Sequence, residues 1–190
     1  DPEAFVWSPV FGTRVLHPGR SSRALAIDDY HHIVGYYINL DGTYQPAIWN
    51  PTGTGAILGL VPGGTSGVAL DVATDSAKRI NIVGWSDASP GGTSTGVAWL
   101  NSITPTIYPY TPIVNVVNQR ARVVGRLFPG PGFSFGQVFT SRIAAPGLRL
   151  ALPQLSTGLA FANDMNDCGM IVGGSRNSAG RTHVVAWVPN

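Results

Sequence analysis

The chain has 190 residues, 44% of them hydrophobic and 12% charged, with a formal net charge of +2. That length suffices for one domain with a real core, and such a hydrophobic, weakly charged chain is not a disordered one. The eleven Arg and single Lys are scattered without a run of four, which excludes the electrostatic footprint of a nucleic-acid binder; no apolar run approaches the roughly 18 residues of a membrane-spanning helix.

In chain order, Glu3-Ala4-Phe5-Val6-Trp7-Ser8-Pro9 predicts a short strand carrying an aromatic anchor. Thr13-Arg14-Val15-Leu16-His17-Pro18 predicts a second strand, stopped by proline. Residues 24 to 35, ALAIDDYHHIVG, predict a strand that begins with Ala24, a turn at Asp28-Asp29, and a strand that closes on Ile33-Val34-Gly35. Next comes QPAIWNP at 45 to 51, a strand anchored by Trp49, and then the looser apolar phrase GAILGLVP at 55 to 62.

From there the phrases recur. The hairpin phrase returns at 69 to 84, at 114 to 125 and at 162 to 173, closing on Gly84, Gly125 and Gly173. The copy at 69 to 84 carries four extra residues, which are expected to enlarge its turn. The aromatic phrase returns as TGVAWLN, GQVFTS and HVVAWVP, with anchors Trp99, Phe139 and Trp187. From each closing Gly to the next aromatic the separations are 14, 15, 14 and 14, so the anchors, Phe139 among them, are expected in one structural phase, with Trp7, Trp49, Trp99 and Trp187 in the core.

Each repeat of about 46 residues therefore reads as four short strands, a to d. Such a unit cannot bury both of its faces alone. Four antiparallel strands at this period define the blades of a β-propeller. The all-β fold expected is a propeller of about four four-stranded blades in one domain. Its parts are a c–d half-blade at 1–23, repeats at 24–68, 69–113 and 114–158, and an incomplete repeat at 159–190. Ala24, Ala69, Ala162 and the closing glycines suit the crowded zone near the axis.

The motifs resemble the HAF family of extracellular repeats. Ala162, Met165, Asn166, Asp167, Gly169 and Ile171-Val172-Gly173 match its A-x-x-I-N-D-x-G-x-I-V-G phrase almost fully. Ala4-Phe5-Val6-Trp7 matches its His-Ala-Phe segment, with Glu3 in place of the His. The other copies depart, with His31-His32 and Arg120-Ala121 in the x-G turn. The resemblance implies a propeller-like fold and an extracellular, secreted or cell-surface location, without a defined chemistry. The chain starting at Asp1, without a leader, fits a mature secreted protein.

Strand c occurs five times against four for a, b and d. The surplus strand is expected to extend one blade, to mark a fragment of a longer propeller, or to be donated to a neighbouring copy, giving a homo-oligomer or filament.

No catalytic signature emerges, and the protein is not expected to be an enzyme or to hold a cofactor or metal. Acids such as Asp28, Asp29, Asp75 and Asp167 fall in a–b turns, where local hydrogen bonding explains them. A glycosidase would need two of them facing each other across a sugar. Asn163 to Gly169 lacks the ligand series of a calcium loop. His31 and His32 are adjacent and lack a third ligand. Gly132-Phe133-Ser134-Phe135-Gly136 spells G-x-S-x-G, but no helix is expected after it. Cys168 is alone, so no internal disulfide can form. No N-x-S/T sequon is present, while the Thr/Pro-rich stretches could carry O-linked sugar.

The residues that follow each closing Gly differ between repeats. Variable positions on a rigid scaffold are where recognition resides. Tyr37 with Asp41, and Trp85 with Asp87, have the composition of a sugar-stacking site, and Arg126 follows Gly125 in the third repeat. A structural or adhesive, self-assembling role is the expected function. A glycan-binding module using these five residues is the alternative, and a glycoside-acting enzyme stands third.

Overall fold

The structure is a computed structural model that describes residues 2–17, 19–87, 89, 92–109, 111, 113–127, 137–146, 149–156 and 159–189. Among them every regular element is a β-strand, and the strands form five antiparallel sheets. The half-blade pairs β1 (Phe5–Ser8) with β2 (Gly12–Val15). Blade 1 is β3 (Ser22–Ile27), β4 (Ile33–Ile38), β5 (Tyr44–Trp49) and β6 (Gly55–Ile57). Blade 2 is β7 (Gly67–Thr74), β8 (Ile80–Asp87), β9 (Ser94–Leu100) and β10 (Pro105–Tyr108). Blade 3 is β11 (Ile113–Val117), β12 (Arg122–Leu127), β13 (Gln137–Arg142) and β14 (Arg149–Ala151). Blade 4 has three strands, β15 (Ala160–Met165), β16 (Ile171–Arg176) and β17 (Thr182–Trp187). Within each sheet the strands pair in chain order, as blades do. The a–b–c–d order expected from the repeats is the order found. The half-blade makes its own two-stranded sheet and does not complete blade 4.

The recurring hairpin phrase has a local cause. In every blade an Asp or Asn opens the a–b turn: Asp28, Asp75, Asn118 and Asn166. Its N–H donates to the carbonyl of the residue four further on, at 3.0–3.1 Å, and its side-chain oxygen accepts that residue's N–H. The residue just before that partner is left-handed in every case: His31 (φ 65°), Lys78 (φ 62°), Ala121 (φ 55°) and Gly169 (φ 85°). This is a type I turn followed by a left-handed residue, a favoured hairpin connection, and glycine is its unstrained occupant. Ala121→Gly is therefore expected to stabilise the fold by about 1 kcal/mol, and Gly169→Ala to destabilise it by a similar amount, read as shifts of the urea midpoint.

The closing Gly is required by a β-bulge. Strand a is interrupted opposite it, between Ala24 and Ala26, Ala69 and Asp71, Val114 and Val116, and Ala162 and Asp164. The bulge drives a carbonyl toward the glycine: a Cβ on Gly35, Gly84 or Gly173 would lie 1.9–2.0 Å from the oxygen of Arg23, Val68 or Phe161. No side chain fits there.

Two expectations are corrected. The four extra residues of repeat 2 do not enlarge its turn. They lengthen the hairpin by two pairs, Ala73 with Asn81 and Thr74 with Ile80, and the turn at Asp75 keeps the common design. Phe139 is also out of phase with the tryptophans. Trp49, Trp99 and Trp187 pair with Ile33, Ile82 and Ile171, whereas Phe139 pairs with Gly125 and Ser141 takes the tryptophan position opposite Val123. A shift of two residues keeps Phe139 on the same face, so it is still buried.

The core lies between blades. Val34, Leu58 and Val61 of the first repeat pack on Ala69, Val72, Ile82, Val97 and Trp99 of blade 2. Val83, Ala98 and Tyr108 pack on Val114, Val123 and Phe139 of blade 3. Val116, Val124 and Val138 pack on Ala162, Met165 and Ile171 of blade 4. Ala4 and Leu16 of the half-blade cover Ile33, Tyr37, Ala47 and Trp49 of blade 1. Each blade thus has a proximal face toward the preceding sheet and a distal face toward the next.

Candidate functional site

The five residues singled out in the sequence are distributed over three blades. Tyr37 is buried, packed between the half-blade and blade 1. Its ring stacks on His17 at 4.7 Å, the Arg20 guanidinium lies 5.8 Å from its centre, and burial pushes its hydroxyl pKa up. It lines a cavity of about 70 Å³ with His17, Trp49 and Gly55. Asp41 sits in the b–c turn of blade 1, where its Oδ1 accepts the N–H and hydroxyl of Thr43. Trp85 is half-buried on β8. Asp87 is buried and pins the loop before blade 2: Oδ1 accepts the N–H groups of Thr65 and Ser66, and Oδ2 accepts the Thr65 hydroxyl. Arg126 is half-buried, and among the described residues its buried Nε has no hydrogen-bond partner. The structure does not gather the five into one cavity. The G-x-S-x-G segment at 132–136 lies outside the described residues.

Strand a of blades 1 to 4 converges on a common polar cavity of about 280 Å³, lined among others by Asp28, Val72, Asn118 and Asn166. The turns are cross-linked there. Thr74 donates to Asp28 at 2.5 Å, and Asn118 Nδ2 donates to the Asn166 carbonyl at 3.0 Å. The Gln119 N–H donates to Asp167 Oδ1 at 2.9 Å, and its side-chain amide donates to Asp29 Oδ2 across the cavity. Bonds between blade 1 and blade 3 place the four a strands around one axis. Beside it lies Asp71, whose carboxyl is pushed up to about 6, chiefly by burial, with Asp164 of blade 4 adding repulsion and the N–H groups of Val117 and Val72 opposing the rise.

Exposed apolar side chains gather on the first and last sheets of the series. Trp7 stands at the repeat position of Trp49 and Trp99, opposite Thr13 as they stand opposite Gly55 and Pro105. Trp49 and Trp99 are 3% and 0% exposed, yet Trp7 is 64% exposed. Its expected place in the core is therefore corrected: among the described residues no sheet covers the proximal face of the half-blade. Phe5 shares that face and is 62% exposed. Ala24 and Ile27 are exposed beside it, although Ala69 and Val72, their counterparts in blade 2, are buried. Among the described residues the half-blade pairs only β1 with β2, and no a or b strand lies over them.

The opposite end shows the converse. Val172 of blade 4 corresponds to Val34, Val83 and Val124, which are all 0% exposed, but it is 42% exposed. Val184, two residues from its partner Ala186 on the same distal face, is 93% exposed. Phe161 crosses this face over Gly174, where a Cβ would meet its ring at 2.6 Å. Among the described residues the β17 edge has no partner strand.

These sheets and faces define a β-propeller repeat protein, whose described residues form three four-stranded sheets, one three-stranded sheet and one two-stranded sheet. No family model matches the chain, and no curated protein matches it. Nine chains among solved structures do. One is described as YCF48 bound to D1 peptide, with a TM-score of 0.49 and 14% identity. That match covers 100% of this chain and 54% of the other, so the chain spans about half its length.

Proposed function

We propose that the protein is a structural, adhesive repeat module that associates head to tail with copies of itself, the distal face of blade 4 docking on the proximal face of the half-blade. One observation carries this. The same pair of faces meets wherever two blades adjoin, and among the described residues the proximal face of the half-blade and the distal face of blade 4 have no facing sheet and expose apolar residues. Phe5 and Trp7 are the kind of large apolar anchors that dominate protein interfaces. Two different surfaces on one copy make the contact heterologous, which yields closed rings or open filaments. The unpaired β17 edge adds backbone donors and acceptors to the same end. The HAF-type motifs support a place outside the cell.

Sedimentation velocity tests it. The wild-type chain is expected to associate in the micromolar range. Trp7→Glu and Val184→Glu each remove one face, so each variant by itself is expected to be monomeric. Mixed in equal amounts, they retain one good face apiece and are expected to form a 1:1 dimer. A wild-type chain that stays monomeric at a few hundred micromolar sinks the proposal, as does a mixture that behaves as the sum of its parts.

A further inference from the structure

We propose that the cleft between blades 2 and 3, at the turn end that carries Arg79, Arg120 and Arg142, binds a carboxylate borne on a short aliphatic group. The cleft is a cavity of about 350 Å³, large enough for a small organic ligand. Its three cations come from three turns well separated in sequence: Arg79 ends the a–b turn of blade 2, Arg120 lies in that of blade 3, and Arg142 closes β13. Asn81 and Asn101 add amides to the wall, and no carboxylate lines it.

The charges are unequally spent. Arg79 is held by Asp75, whose Oδ2 accepts from Nε and lies 2.8 Å from Nη2. That pairing consumes the nearby acid, and Asp75 accepts the N–H groups of Ala77 and Arg79 as well. Among the described residues the guanidinium groups of Arg120 and Arg142 take part in no hydrogen bond and no ion pair. Both residues line the cavity, and an anion bound there can pair with either guanidinium. Planar guanidinium forks match the two oxygens of a carboxylate.

The floor decides what the carboxylate is attached to. It consists of Leu100, Ala121 and Ile143, aliphatic side chains without an aromatic ring on which a sugar could stack. It is also rigid. The Ile143 N–H donates to the Ala121 carbonyl at 2.8 Å, and the Ile143 carbonyl accepts the buried Tyr108 hydroxyl at 2.7 Å. On the facing side, the Asn101 N–H donates to the Ile80 carbonyl at 2.7 Å. Both walls are thus tied to the inter-blade core, and the apolar floor is preorganised. The same chemistry is offered by a free branched-chain carboxylate and by the C-terminus of a polypeptide that ends in an aliphatic residue. The cleft belongs to blades 2 and 3, so this inference is independent of the end faces.

Titration calorimetry with three probes tests it: N-acetyl-leucine, a hexapeptide ending in leucine, and the same hexapeptide as its C-terminal amide. Binding of the hexapeptide acid at least tenfold tighter than N-acetyl-leucine identifies a polypeptide terminus as the ligand; equal affinity identifies the free carboxylate. The amide is expected not to bind. Arg120→Ala and Arg142→Ala are each expected to weaken the acid roughly 10- to 100-fold, the loss of one charge-assisted pair. Arg142→Lys is expected to fall between, because it keeps the charge and loses the fork. Both sites are at the surface, and an unchanged thermal midpoint shows that the variants fold. No binding of either acid overturns the proposal, as does an amide that binds as well as its acid. So does an affinity that survives the double alanine substitution in a folded chain.

Discussion

Trp99→Ala is expected to destabilise the fold by about 3–5 kcal/mol, the range for deleting a fully buried large aromatic. Trp99 is 0% exposed and sits in the cluster that joins blade 1 to blade 2. Its removal opens a cavity between sheets that close packing cannot collapse. It also removes a hydrogen bond, because the indole Nε1 donates to the Gly59 carbonyl at 2.9 Å, and the abandoned carbonyl loses its partner. The indole of Trp187 makes the equivalent bond to Pro153, so the tryptophan staples a blade to the one before it. The control lies in the same repeat position. Trp7→Ala removes a side chain that is mostly exposed and is expected to change stability by less than about 0.5 kcal/mol. Urea denaturation of the two variants beside the wild type measures both effects. Equal losses would refute the arrangement of blades described above.

Stability is expected to fall as pH rises from about 4 to about 6, with Asp71 as the cause. Its carboxyl titrates near 6 in the fold against 3.8 when unperturbed, because burial disfavours the charge and Asp164 faces it. Between those values the folded chain keeps a proton that the unfolded chain has released. Stability is therefore highest below the unfolded value, declines through the window and levels off above about 6. The difference is on the order of 3 kcal/mol. Asp28 works in the opposite sense. Burial tends to raise its carboxyl, but the bonds from Thr74 and His32 outweigh that and hold it below the ordinary value, so its contribution is lost only at still lower pH. Urea midpoints between pH 4 and pH 7 isolate the Asp71 effect. In Asp71→Asn the decline is expected to vanish, and in Asp164→Asn its upper edge is expected to move toward lower pH. A wild-type midpoint that is flat or rises over this window would remove Asp71 from the account.

Several elements were legible in the residues because their causes are local. The a–b turns are specified by an Asp or Asn and a left-handed fourth residue, both within five residues of each other. The closing Gly answers a bulge in the strand beside it. The strand order a–b–c–d follows from the recurrence of whole phrases. Where the inserted residues of repeat 2 would go was not legible, since an even insertion can lengthen two strands without turning any side chain to the other face. The same degeneracy hid the shift of Phe139. The sugar-site pattern named residues by composition, but composition does not say that the Asp87 carboxylate is spent on Thr65 and Ser66, or that Tyr37 is packed against His17.

By itself, then, the sequence determined the blade: its strands, its turns and the faces that must be covered. Only the tertiary structure decided which copies of that blade are covered. Identical positions such as Trp7 and Trp99 differ because burial is a property of the neighbour, and a repeat carries no local record of whether another sheet lies against it. The arginine cleft has the same origin: residues 79, 120 and 142 meet because two blades pack side by side, and nothing along the chain between them encodes that distance.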